Sequence, residues 1–553
     1  MLPKTLTKML AVVPQLSPLD VAWAAANGFK TIINNRPDGE EPGQPASAEL
    51  AVLVRAAGMA YHHLPVIGGQ ISDDAGAEFG RLLLTANGPV LAFCRTGTRS
   101  ATLWALSEAT RLPASGLLKT AADAGYDLAA LHARLVKLGA SAHAVVASSH
   151  ADIVIVGGGS AGVATAASLL ARQKGLDIVL IEPREEHYYQ PGWTMVGGGV
   201  FDRQSTCRSE ASVIPRGVRW VKSAVKRFSP DQNEVTLIDG ATISYRYLVV
   251  APGIALDWDG IDGLSETLGK NGVTSNYSFD CAPYTWKLVR ELKQGIALFT
   301  QPPMPIKCAG APQKAMYMSC DHWRRNGLLS DITVTFHNAG SVLFGVKEYV
   351  PALMSYVERY GIDLAFESKL IAVDGSGQKA TFQDKNGQVT KPFDLLHVTP
   401  PQKAPEFIAV SPLANASGYV DVDQETLQHV RYENVFGLGD GGSTPNAKTM
   451  AAARMQAPIV AENLLSVWAG KSPDAIYDGY GSCPLTVERG KIVLAEFGYG
   501  GKLLPTFPKW IIDGTRPERL SWLLKSEALP WIYWNGMLKG REWLAHPHHR
   551  TAA

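Results

Sequence analysis

Residues 151–173, ADIVIVGGGSAGVATAASLLARQ, constrain this 553-residue chain more than any other stretch: an apolar strand runs into Gly157-x-Gly159-x-x-Gly162 and then an Ala/Leu-rich helix. A second strand, DIVLIE, follows and ends in Glu182. The first glycine permits a tight turn, the second lets backbone approach a pyrophosphate, and the third lets helix and strand pack closely. The helix N-terminus offers free N–H groups and the positive end of a dipole. An acid about 25 residues beyond the first glycine is placed to accept from ribose hydroxyls. Strand, glycines, helix, strand and acid in this order predict a Rossmann-like α/β domain that holds a dinucleotide through Gly157, Gly159, Gly162 and Glu182.

A distant segment, NVFGLGDGGSTPNAKTMAAA (434–453), reads as a strand ending at Gly439-Asp440 with a helix after it. In two-dinucleotide flavoproteins such a Gly-Asp strand end meets the ribityl or pyrophosphate of FAD, and YRYLVVAPG (245–253) is similar to their Ala-Thr-Gly-type strand end, which adds Gly439, Asp440 and Gly253 to the expected site. Lys448, just beyond the Gly-Asp turn, is placed to contact the flavin ring or stabilise its reduced anion. A nicotinamide-using protein would carry a second glycine fingerprint after the strand GIALFTQPP (295–303); here PPMPIKCAGAPQKA stands instead. FAD is therefore the expected cofactor, without a nicotinamide site, and no metal site is read.

So long a chain exceeds one hydrophobic core, so several compact units are expected. Its 52 basic and 51 acidic side chains nearly cancel, which argues against nucleic acid as a partner. Six cysteines are too sparse for a disulfide framework, so an important one is expected to act through its thiol, in a reducing cytosol. The N-terminus lacks the apolar core of a signal peptide. No run reaches the ~18 apolar residues of a spanning helix.

Cys308 follows a predicted strand and precedes a predicted helix, APQKAMYMSCDHW, so the helix dipole, Lys307 and Lys314 favour its thiolate. Here the chain resembles a specific family. KCAGAPQKAMYMS (307–319), HYYQPGWTMVGGG (187–199), FGVKEY (344–349), HVTPP (397–401), ETLQHVRYENVFGLGD (425–440) and YDGYGSCPL (477–485) are similar to the mitochondrial-type sulfide:quinone oxidoreductases, over nearly all of 151–553.

The resemblance implies two Rossmann-like domains, FAD, a redox cysteine pair on the flavin face, and electrons passed to quinone. Hydrosulfide attacks the pair, leaving a persulfide on one sulfur. Cys308 matches one family cysteine; the second position, directly after Gly439-Asp440, is Gly441. Cys320, twelve residues on, would stand ~18 Å away at about 1.5 Å per helical residue, beyond disulfide reach. Cys483 reads as structural, and Cys207 and Cys281 match no role. The missing sulfur is therefore expected from outside: Cys94, a small thiol, or sulfide itself. His397 and Lys347 lie in family-like segments but read as structural.

Residues 1–145 alternate short strands and helices, predicting a parallel sheet. PVLAFCRTGTRSATLWAL (89–106) sets Cys94 at a strand end before a Gly-containing turn, where backbone N–H groups, Arg95 and Arg99 would surround an anionic sulfur. A tyrosine phosphatase needs five residues between Cys and Arg; here there are four, a spacing similar to the persulfide-holding loop of rhodaneses. The region resembles small bacterial domains named phosphatase-like or sulfurtransferase. Asp73 and Asp74, a conceivable acid pair, suit the first turn of a helix better.

Five of thirteen Trp lie in the last 44 residues. RLSWLLKSEALPWIYWNGMLKGREWLAH (519–546) reads as two amphipathic helices broken at Pro530, with Lys525, Lys539 and Arg541 at a polar edge that suits lipid headgroups.

These readings give a rhodanese/phosphatase-like sulfurtransferase domain (1–145), joined through a linker (139–150) to an FAD-binding domain (151–265 and 405–470). A second Rossmann-like domain (266–404) carries the redox cysteine, and a membrane- and quinone-facing region (471–553) completes the chain. The expected activity is oxidation of sulfide or persulfide with transfer to quinone, at the cytoplasmic side of a bacterial inner membrane. A sulfane-sulfur acceptor thiol is a further expected partner, and a homo-oligomer is compatible. The alternatives are an FAD-dependent thiol/disulfide reductase with a phosphatase-like first domain, and a non-catalytic sulfur sensor that binds FAD.

Overall fold

The computed structural model describes residues 3–146 and 150–550, with side chains of 140–146 excluded. The chain divides into two compact units, 1–149 and 150–553.

In the first unit five strands lie in the order Lys4–Thr7, Leu10–Val13, Val90–Phe93, Thr31–Asn34, Ala60–His63. All neighbours are parallel except the first two strands, which form a hairpin. Helices cover both faces, so the central strands are apolar on both sides and split their residues by the period of two. Val12, Ile33 and Ala92 pack with Phe79 and Trp104, whereas Val13, Ile32, Leu91 and Phe93 pack with Leu50 and Val54 on the opposite face. Ser72 caps the helix Asp73–Thr85 by accepting from the Ala75 N–H. Asp73 in its first turn pairs with Arg134 at 2.6 Å. The last helix, His132–Val146, runs through much of the stretch that composition suggests as a linker; positions 147–149 of that linker fall outside the described residues.

The second unit holds two sheets built on parallel strands, the first of them extended at one edge by the antiparallel strands Glu234–Leu237 and Val225–Ser229. The first orders Val218–Val221, Ile178–Ile181, His150–Val156 and Thr242–Val250. The end of Thr242–Val250 pairs in parallel with Val435–Gly437, so the chain returns to this sheet after building the second one. That second sheet orders Val273–Thr274, Leu395–His397, Gly295–Gln301, Ile332–Asn338 and Asp363–Phe366, all parallel. After helix Met450–Trp468 an antiparallel hairpin, Gly481–Glu488 with Lys491–Phe497, closes onto the helix that follows Cys308. Cys483, Leu485, Val487, Val493 and Ala495 share one buried core with Met316, Tyr317 and Cys320 of that helix. The last 80 residues are thus partly core, not wholly a surface region.

The helical run Arg519–Asn535 passes through Pro530 without a break. It consists of Arg519–Leu523, a π-helical turn Leu524–Ala528, and Leu529–Asn535. Pro530 stands in the first turn of the last piece, where its missing N–H leaves a smaller gap in the ladder. The sequence expectation of two helices broken here is corrected accordingly. Lys525, expected at a polar edge, is buried at 3% exposure.

Candidate active site

The dinucleotide loop has the expected geometry. Gly157 ends the strand His150–Val156 at φ 103°, and its N–H donates to Ile181 O. A Cβ at Gly162 would lie 1.9 Å from Gly157 O, and one at Gly157 would lie 2.3 Å from Ala251 O. These contacts require glycine because backbone meets backbone. Gly159 precedes helix Ser160–Arg172, and a Cβ there would meet nothing within 4 Å. Glu182 is buried; it accepts from the Gly158 N–H at 2.8 Å and pairs with Arg184 at 3.0 Å.

Gly157, Gly159, Glu182, Gly253, Gly439, Asp440, Lys448 and Cys308 all line one cavity of about 450 Å³. Both polar atoms of the Asn276 amide, on the same wall, are buried without a hydrogen-bond partner among the described residues. A ligand with its own donors and acceptors meets that need.

Residues from the end of the chain close the glycine loop, which sequence reasoning did not foresee. The Tyr533 hydroxyl stands 2.7 Å from Ser160 Oγ and 2.6 Å from His187 Nε2. His187 Nδ1 lies 3.0 Å from Glu210 Oε2, and all four residues belong to one buried or half-buried chain. The segment HYYQPGW was a usable signal, but the tyrosine that completes the chain is 346 positions away from His187.

Cys308 sits on a turn with φ 54°, a left-handed conformation uncommon for a side-chain-bearing residue. Its N–H donates to Lys448 O at 2.8 Å, its carbonyl accepts from Ala311 N at 2.7 Å, and the Tyr277 hydroxyl donates to Lys307 O at 2.9 Å. Those bonds hold a backbone conformation that costs on the order of 1–3 kcal/mol.

Around the sulfur the structure gathers two groups from far apart in sequence. Cys483 Sγ lies 3.4 Å from Cys308 Sγ, and Lys314 Nζ donates to Cys308 Sγ at 3.1 Å. The Cys483 thiol and the Lys314 cation pull the Cys308 thiol well below the ordinary thiol range against the effect of burial, while Cys308 and burial push Cys483 well above it. Cys483, expected to be structural, does lie in the buried core, and its sulfur also touches that of Cys308. Cys320 is fully buried in the core with Met316, Tyr317 and Trp323.

Gly441 is buried in the turn after Asp440, where an added Cβ would come within 3.0 Å of Gly253 O and the Pro252 ring. Lys448 Nζ ties that turn by donating to Asp440 O at 2.8 Å and Gly442 O at 2.9 Å. Burial lowers Lys448 to about 8, Lys307 to about 8 and Lys525 to about 7. A negatively charged ligand group in the cavity would raise all three.

In the first unit Cys94 is fully buried at the end of its strand, and the Gly97 N–H donates to its sulfur at 3.1 Å. The two arginines behave differently. Arg99 stays in reach of the Cys94 sulfur while its guanidinium forks onto Glu40 at 2.7 and 2.8 Å. Arg95 turns away to Glu41 at 3.3 Å, so the expectation that it surrounds the sulfur fails. Arg36, buried, also pairs with Glu40 and Glu41 at 2.8 Å each. The residues NNRPDGEE (34–41) thus supply two carboxylates, Glu40 and Glu41, to the cationic rim of the Cys94 loop.

Residues 3–111 match the family model of the phosphatase-like domain of beta-lactamase hydrolase-like proteins. Residues 151–297 match that of pyridine nucleotide-disulphide oxidoreductases. The first unit is similar to a beta-lactamase hydrolase-like protein of Agrobacterium fabrum, 39% identical over 127 residues, 23% of this chain and 30% of that one. The sulfide:quinone oxidoreductase from Aquifex aeolicus shares the fold of the second unit, with a TM-score of 0.60 at 22% identity over 72% of this chain and 96% of that one. The mitochondrial sulfide:quinone oxidoreductase of Dictyostelium discoideum is 44% identical over 392 residues, 70% of this chain and 86% of that protein. The mouse enzyme is 40% identical over 397 residues, 71% of this chain and 88% of that protein. With the second family model, this kinship implies a flavin cofactor and an oxidoreductase. The chain belongs to the sulfide:quinone oxidoreductase family.

Proposed function

We propose that the second unit oxidises sulfide or a persulfide and passes the electrons to quinone, with FAD as its flavin and Cys308 as the sulfur carrier. The observation that carries this reading is the placement of Cys308, on a strained turn beside Lys314, in the same cavity as the glycine loop and the Gly439-Asp440 turn. When bound, FAD supplies a two-electron acceptor. Gly157, Gly159 and Gly162 would admit its pyrophosphate, Glu182 its ribose, and Gly253, Gly439 and Asp440 its central part. Lys448 would hold negative charge at the ring end, since its ammonium retains one donor beyond the two given to backbone. Lys314 keeps the Cys308 sulfur anionic and therefore nucleophilic.

Quinone dissolves in membranes, and the chain has a surface suited to one. Among the described residues no helix is long and apolar enough to cross a bilayer. Trp510, Leu520, Leu523, Trp531, Trp543 and Leu544 are nevertheless exposed, Trp510 at 84% and Trp531 at 55%. Trp531 stacks on Trp543 with centroids 5.2 Å apart, and Leu524, Leu529 and Leu544 of the same region line the cavity. This supports monotopic attachment to a membrane, with quinone entering from the lipid; we propose the cytoplasmic face of a bacterial membrane as its place. For the first unit we propose transfer of sulfane sulfur through Cys94 to or from an acceptor thiol, with Arg99 stabilising the anion.

The test is anaerobic addition of sulfide and a short-chain quinone, followed at the visible absorbance of the flavin. Bleaching by sulfide and recovery with quinone are expected. Bleaching by NADH instead would replace this reading with a thiol/disulfide reductase, and no bleaching by either donor would favour a sulfur sensor.

A further inference from the structure

We infer that Cys483 is the second redox sulfur of this chain and forms with Cys308 the reversible disulfide that Gly441 can no longer provide. This deepens the function proposed above and rests on it. Three observations converge. The two sulfurs, 175 positions apart in sequence, stand 3.4 Å from each other. A covalent bond of about 2.05 Å requires them to close by about 1.4 Å, which side-chain rotation and small backbone shifts supply. Lys314 engages both sulfurs. Gly310 lies directly over Cys483, where any Cβ would come within 2.4 Å of its sulfur.

The surroundings divide the work. Cys308 faces the cavity, while Cys483 lies behind it at 2% exposure. Hydrosulfide therefore attacks the Cys308 sulfur of the disulfide. A sulfur–sulfur bond forms on Cys308, the Cys308–Cys483 bond breaks, and Cys483 leaves as a thiolate facing Lys314. An acceptor thiol then takes the outer sulfur: RSH and the Cys308 persulfide give RSSH and the Cys308 thiol, whose proton passes across to Cys483. The pair now holds one proton and one negative charge. Its reoxidation re-forms the disulfide and releases one proton and two electrons to the bound flavin and thence to quinone. The sum is hydrosulfide plus RSH giving RSSH, one proton and two electrons.

Peptide mapping of the full-length protein tests this directly. Reduced protein is oxidised anaerobically with diamide, alkylated and digested without reductant. A linked Cys308–Cys483 peptide is expected, with Cys320 still alkylated after denaturation; linkage of Cys308 to any other cysteine, or a Cys483 that stays free, overturns the proposal. In Cys483→Ser the link must vanish, and sulfide-driven flavin bleaching must fall at least 100-fold at unchanged flavin content. Bleaching at the wild-type rate overturns the inference. Should Cys483→Ser fail to hold flavin, the wild-type map still decides. A wild-type protein that shows the link but no bleaching by sulfide would sink the proposed function and leave the pair standing.

Discussion

At the scale of single residues, charge neighbours decide which thiol reacts. Cys308 has Lys314 at 3.1 Å and a thiol donor at 3.4 Å, so its pKa lies well below the usual thiol value of about 8.5. Alkylation of the reduced protein at Cys308 is expected to stay fast as pH drops from 9 to 6, because the rate follows the thiolate fraction. Lys314→Met raises that pKa, so the rate near pH 6 should fall at least tenfold and recover at alkaline pH; mass-resolved labelling checks it. In the first unit, Arg99 and Arg36 hold Glu40 down to about 2. Its stabilising effect is present above the unfolded carboxylate value near about 4.3 and is lost as pH falls toward 2. Glu40→Gln should therefore lower the thermal stability of the first unit at neutral pH and leave little difference from wild type near pH 2, measurable by unfolding monitored at both pH values. Local sequence foretold the reactivity of Cys308 because Lys314 is only six positions away. It could not foretell Cys483 or Glu40, whose partners lie 175 and 59 positions off.

At the scale of elements, the strand–loop–helix of 150–172 was legible because glycine contacts there are imposed by backbone meeting backbone. Gly162→Ala drives a Cβ into Gly157 O and should abolish flavin retention, seen as loss of visible absorbance after gel filtration. The added Cβ of Gly159→Ala meets no atom of the described residues within 4 Å beyond its chain neighbours, so the fold should survive it and flavin affinity alone should drop; titration of stripped protein separates the two. The hairpin Gly481–Phe497 was not legible as core, since alternation along Gly481–Glu488 puts Cys483, Leu485 and Val487 on one face without saying what covers it. Leu485→Ala, fully buried there, should cost about 2–5 kcal/mol and lower the calorimetric transition of the second unit. The run 519–535 defeated its expectation because proline in a first turn is compatible with a helix whose ladder is already loosened by a π-turn.

At the scale of the whole chain, composition argued against nucleic acid and suggested several units, and the two glycine-bearing strand ends marked both halves of the first sheet across an inserted second one. The exposed tryptophans make a claim of this scale too: Trp510→Ser with Trp531→Ser should weaken flotation with vesicles of anionic phospholipid while leaving sulfide-driven bleaching of the flavin intact. The Tyr533 hydroxyl, bridging Ser160 and His187 across 373 positions of sequence, has a consequence for assembly. The loop that receives the dinucleotide is completed early in synthesis, but its cover arrives only with the final segment. Cofactor retention and docking of that segment are therefore one linked equilibrium: a protease nick near residue 519 becomes a release valve for the flavin, and a saturated cofactor site becomes the segment's own lock.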